Sequence, residues 1–118
     1  MLEGADMDVA AEVVTYLSDV TGFPWYHEAP TNTPDEFGTA TRDGGPSELV
    51  RDTATVTLMV HAATRGRAAD LASETKLALL LMPYEVANVF HVEVMGDYYD
   101  PLDVRSRHRI TTQILVND

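Results

Sequence analysis

Three residues with metal-ligand chemistry lie on two segments of alternating polarity. They are His61 in TATVTLMVHA and His91 and Glu93 in VFHVEV. Two imidazoles and a carboxylate could bind a zinc ion and leave a position open for water. Such a site needs its ligands to converge tetrahedrally, and these come from separate segments without metal-motif spacing. Histidines standing singly on sheet faces are the plainer interpretation. Asp97, Asp100 and Asp103 in DYYDPLD offer a second acidic set. An EF-hand calcium loop needs a glycine and a terminal glutamate at fixed positions, and neither fits. An acidic, solvated turn is expected instead. Ser47, Ser73 and Ser106 lack nucleophile-elbow surroundings, and the glycine pair at 44–45 is followed by proline rather than Gly-Lys. Trp25 and Tyr26 have no cluster of basic residues beside them, so core or loop anchoring is expected rather than base stacking.

Arg105, Arg107 and Arg109 alternate along one segment. They could neutralise an acidic partner strand or subunit, or face Glu93 and the acidic turn of the same chain. The chain carries a formal net charge of −11, so a cationic stripe beside acidic loops suits contact between copies. A single lysine, Lys76, and seven scattered arginines argue against sequence-specific nucleic-acid binding.

The elements that would position these residues follow from periodicity. Ala10, Val13, Val14, Leu17 and Val20 recur at helical spacing, which predicts a first helix from Asp6 or Asp8 to Thr21. Gly22 suits a left-handed position past its end and Pro24 stops it. FPWYHEA at 23–29 reads as a strand, and APTNTPDEFG after it as a loop. FGTATRD at 37–43 reads as an edge strand, and the glycines and proline that open GGPSELV predict a turn. Residues 53–63 alternate most clearly. Ala54, Val56, Leu58, Val60 and Ala62 share one face, and Thr53, Thr55, Thr57, Met59 and His61 the other.

Thr64 is a candidate N-cap for a second helix over 65–82, ended by Pro83. Ala68, Leu71, Ala72, Thr75, Ala78, Leu79 and Met82 form its core face. Leu77, Leu80 and Leu81 add apolar surface on other sides, which predicts burial from a second direction, such as another subunit. Residues 89–96 predict a strand with Phe90, Val92 and Val94 inward, 97–103 a loop, and 105–117 the last strand. The order is α-β-β-β-α-β-β. The fold class expected is α+β, a mostly antiparallel sheet with two α-helices packed on one face. The length of 118 residues suits one domain. Cysteine is absent, no apolar run approaches a membrane span, and the N-terminus has no signal-peptide order.

The run TRDGGPSELVRDTATVTLMVHAATRGRAADLA at 41–72 carries a resemblance. Together with the acidic first helix, the aromatic strand, DYYDPLD and the final ITTQILV, it resembles the tail terminator (tail completion, or minor tail) proteins of lambda-like long-tailed bacteriophages. The resemblance spans nearly the whole chain and rests on structural rather than catalytic motifs. It implies a virion protein, not an enzyme, that needs no cofactor. It implies a homo-hexameric ring at the head-proximal end of the tail, assembled in the host cytoplasm. Such a ring ends tube polymerisation and joins tail to head. The implied partners are further copies of the chain, the tail tube protein and a head connector or stopper protein, with genomic DNA passing through; the acidity of the chain itself predicts a lumen lined more by Asp and Glu than by Arg. Arg42, Glu48 and Arg51 would lie near ring contacts, with Leu77, Leu81, Arg105, Arg107 and Arg109 as further interface residues. Thr31, Asn32, Asp35 and Glu36 would form an exposed docking loop. Another neck component, such as a connector or stopper, is an alternative. A small ferredoxin-like metal-binding domain built on His61, His91 and Glu93 is another.

Overall fold

A computed structural model describes residues 8–44, 51–102 and 105–117. In chain order the elements are α1 (Val9–Val20), β1 (Trp25–Tyr26), β2 (Phe37–Gly44), β3 (Arg51–Ala62), α2 (Arg65–Glu85), β4 (Val89–Tyr99) and β5 (Ser106–Asn117). They form an α+β fold in the expected order. The five strands make one sheet, ordered β1-β2-β3-β5-β4. Every neighbouring pair is antiparallel except β1 with β2.

The alternation of β3 sorts the two sides of the sheet. Ala54, Val56, Leu58, Val60 and Ala62 are fully buried, and β5 aligns Ile110, Thr112 and Ile114 with Leu58, Val56 and Ala54. This face packs on both helices in one continuous core. From α1 the core takes Val9, Val13 and Leu17, and from α2 Ala68, Leu71, Ala72, Leu79 and Met82. Each such large side chain contributes roughly 1.5–3 kcal/mol relative to an exposed position. Tyr16 links the helices, its hydroxyl donating to the Ala78 carbonyl at 2.7 Å.

Asp8 caps α1 by accepting from the Ala11 amide. The far end is closed by Thr21, not by a left-handed Gly22. The Thr21 hydroxyl donates to the Leu17 carbonyl at 2.6 Å and accepts from Trp25 Nε1 at 3.0 Å, and Gly22 has no positive φ. The aromatic strand is only two residues long, because the chain leaves β2 after Tyr26 pairs with Thr39. Trp25 is buried against Gly38, where an added Cβ would lie 2.5 Å from the indole.

Thr64 caps α2 as expected, accepting from the Arg67 amide. Pro83 does not end the helix, which continues to Glu85. In the last turn the proline removes one donor but keeps a helical φ, and the Val86 amide still donates to the Met82 carbonyl at 2.9 Å.

Strand β4 differs from simple alternation. Its register against β5 shifts between Val89 and His91 and again between Val94 and Gly96. Each shift inserts one residue and re-aims the next side chain. Val89 and Val92 are therefore the buried residues, and Phe90 is exposed rather than inward. The strand also runs on through Asp97, Tyr98 and Tyr99, which were expected in a loop.

Candidate functional site

The described residues hold no group of three or more His, Asp or Glu side chains placed to share a metal ion. His61 and His91 do face the same side of the sheet. However, β5 aligns His91 with Thr53 through Leu115, eight residues from His61 along β3. At about 3.3 Å per residue that separation is roughly 26 Å, so one ion cannot join them. Asp97 and Asp100 also part. Asp97 lies on the helix side and accepts from Lys76 and His108, which with burial opposing them hold its carboxyl below the usual range, His108 contributing most. Asp100 receives Arg107 at 3.1 Å and Arg109 at 3.2 Å from the other side. Asp103 lies outside the described residues.

The arginine stripe is thus engaged within the chain. Asp100 pairs with both Arg107 and Arg109, and Arg109 also lies over the Tyr98 ring. Arg105 donates to Thr33 Oγ1 at 2.8 Å and stands over the Phe37 ring. Behind Phe37 lies His61, 5% exposed, with its Nδ1 lacking a hydrogen-bond partner. Burial, then Arg105 and Arg107, push the His61 pKa down to about 4.

The loop expected to dock a partner is pinned at both ends. Arg105 holds Thr33, and Arg67 holds the Glu36 carboxylate with two nitrogens, keeping its pKa below the ordinary value. Thr31, Asn32 and Asp35 remain exposed. Arg42 is half-buried near the bulge of β2 and donates to the Gly44 carbonyl. The Arg51 backbone pairs with Asn117 in β5. Glu48 lies outside the described residues.

Among the described residues, α2 carries four exposed large apolar side chains. Leu77 and Tyr84 are 62% and 84% exposed, and Leu80 and Leu81 about half. Leu77, Leu81 and Tyr84 follow helical spacing, so they form one row. That row borders a cleft of about 470 Å³ between α1 and α2, closed by Tyr16 and Val20 and edged by Glu74 and Glu85. Tyr84 also borders a second cleft of about 580 Å³ with Leu80, Pro83 and Phe90. The Tyr16 hydroxyl is held above its ordinary pKa by burial and then by the Glu85 charge. Leu77 and Leu81 were expected at an interface. Tyr84 and Glu85 fall outside the helix that the sequence predicts, because a proline ordinarily ends one. The signal was present, since Leu77-Leu81-Glu85 and Leu80-Tyr84 continue the four-residue spacing through the proline.

Among the described residues, no helix covers the opposite side of the sheet. Thr39, Thr53, Thr55, Thr57 and Thr111 surround Met59 and Gln113 there, most of them half-buried. Compared with known protein families and with curated proteins, the sequence matches none.

Proposed function

We propose that the chain is a structural subunit of a long-tailed bacteriophage, a tail terminator that assembles as a ring on the head-proximal end of the tail tube. There it ends tube polymerisation and offers the surface that receives the head. One observation carries the reading: among the described residues, two unlike surfaces on opposite sides of a two-layer molecule have no element packed over them. The helix layer presents the apolar row Leu77, Leu81 and Tyr84, and the sheet layer presents a threonine-rich face. A ring subunit needs this arrangement, because it meets copies of itself and a different partner at once. Large apolar rows of this kind mark interaction sites on soluble domains. The sequence resemblance over 41–72 supplies the identity of the assembly.

The test joins the chain to the tube protein of the same virus. Polymerising tubes should become uniform in length and carry the chain at one end by electron microscopy. Light scattering of the released cap should give about six times the 13.0 kDa chain mass. Tubes of unchanged length distribution, with the chain absent from their ends, would sink the reading. Acidic side chains should outnumber arginines around the lumen of such a ring, since a negative wall does not retain DNA.

A further inference from the structure

We propose that the cleft between α1 and α2 receives an amphipathic segment of a different protein, one whose apolar anchor residues are flanked by lysine or arginine. The inference rests on the assembly reading above and names the chemistry of the partner on the helix side. Its first support is shape. Leu77, Leu81 and Tyr84 form an exposed row along one helix, and Val20 of α1 faces them across the cleft. A volume of about 470 Å³ lies within the range of about 300–1,000 Å³ typical of ligand-sized clefts. It has room for a few side chains rather than a domain, which suits a helix or strand laid into a groove.

Charge selects the occupant. Glu74 and Glu85 are the carboxylates lining the cleft, and among the described residues no lysine or arginine lines it. The Glu85 charge is felt at the Tyr16 hydroxyl, so the carboxylate field reaches the cleft wall. Lys76 is adjacent in sequence to Leu77, yet its ammonium is turned away to Asp97 on β4 at 2.9 Å. An apolar floor under an acidic rim favours a cationic amphipathic segment and repels an acidic one.

The same account argues against a second copy as the occupant. Each copy brings a net charge of −11. Its cations are largely engaged at home: Arg67 with Glu36, Lys76 with Asp97, and Arg107 and Arg109 with Asp100. Copies would therefore meet through other surfaces, leaving this cleft for the unlike partner.

The experiment is fluorescence anisotropy of the whole chain with three short labelled peptides. One is a leucine–lysine amphipathic helix, one has the same pattern with glutamate for lysine, and one is the lysine peptide scrambled to lose its apolar face. The lysine helix should bind about tenfold tighter than either other peptide, and added salt should weaken it. Leu81→Ser should weaken it by a similar factor. Glu85→Gln, which leaves Glu74, should reduce the preference, and Glu85→Lys, which leaves the rim without net charge, should abolish it. Reversal of a distant charge, Glu93→Lys, should leave the order unchanged. Equal binding of the lysine helix and its scrambled form would overturn the proposal. So would indifference to Leu81→Ser, self-association abolished by Leu81→Ser, or tighter binding to zwitterionic lipid vesicles than to the lysine helix. Those failures leave ring formation on tail tubes untouched, whereas failure of the tube assay leaves the peptide preference standing.

Discussion

The rings of Phe37 and His61 lie one over the other, 4.3 Å between centroids and 6° from parallel. The antiparallel register of β2 and β3 places them directly opposite one another. On the far edge of His61, β5 aligns Arg107, and Arg105 stands over Phe37 at 5.2 Å. A buried imidazole between an aromatic ring and two guanidinium groups resists protonation, because a third positive charge there would be desolvated and repelled.

Stability should therefore fall as the solution is acidified from about pH 6.5 toward about pH 4. The folded His61 titrates at about 4, below its ordinary value of 6.5. Between those values the unfolded chain binds a proton that the folded chain refuses, so acid favours unfolding. One such group changes stability by up to about 1.4 kcal/mol per pH unit inside that window and by nothing above it. The carboxyls of Glu36 and Asp97 are also lowered, from lower ordinary values, so their contribution is lost only in stronger acid. Urea unfolding of wild type and His61→Phe across this range checks the prediction. The variant keeps a ring against Phe37 and should show a shallower slope. Equal slopes would remove His61 as the cause.

Gly38 should not tolerate a side chain. A Cβ there would meet the Trp25 indole at 2.5 Å, and Trp25 is fixed behind by its hydrogen bond to Thr21. Gly38→Ala should cost about 1–3 kcal/mol, the usual scale of overpacking. Combining it with Trp25→Phe should cost less than the sum of the two single changes, because the smaller ring relieves the clash. Denaturant midpoints of the four proteins give the coupling directly, and strict additivity would show that the two positions do not meet.

Helix α1 should loosen from α2 when one hydroxyl is removed. Tyr16→Phe keeps the ring packed and deletes the bond to the Ala78 carbonyl. The expected loss is about 0.5–1.5 kcal/mol. Amide exchange should rise first in α1, since the bond joins the two helices rather than the strands.

Much of this architecture is written in local pattern. The strict alternation from Ala54 to Ala62 marks both the strand and its buried face, and Thr64 marks the start of α2. Pro83 misleads because its usual effect belongs to helix interiors, and here it sits in the last turn. The bulges of β4 are invisible for a different reason. Whether Phe90 or Val89 faces inward depends on the register against β5, a relation between strands that neither strand encodes alone. The same holds for the candidate surface. Leu77 and Leu81 are legible as surplus apolar residues on α2. The cleft itself depends on α1 being placed beside α2, which sets Tyr16 and Val20 across from Leu77 and Leu81. The polar stripe of β5 could be read as free to meet a partner until Asp100 is brought against it.

That carboxylate makes the final prediction. Asp100 accepts from Arg107 and Arg109 together, in a setting intermediate between surface and core. Asp100→Asn should destabilise the fold by about 1–2 kcal/mol, between the values for exposed and buried pairs. The loss should exceed that of Arg107→Gln, because in the latter Arg109 still holds the carboxylate. Urea unfolding of wild type and the two variants at about pH 7 gives the order. A loss for Asp100→Asn no larger than that for Arg107→Gln would show that Arg109 does not share the carboxylate.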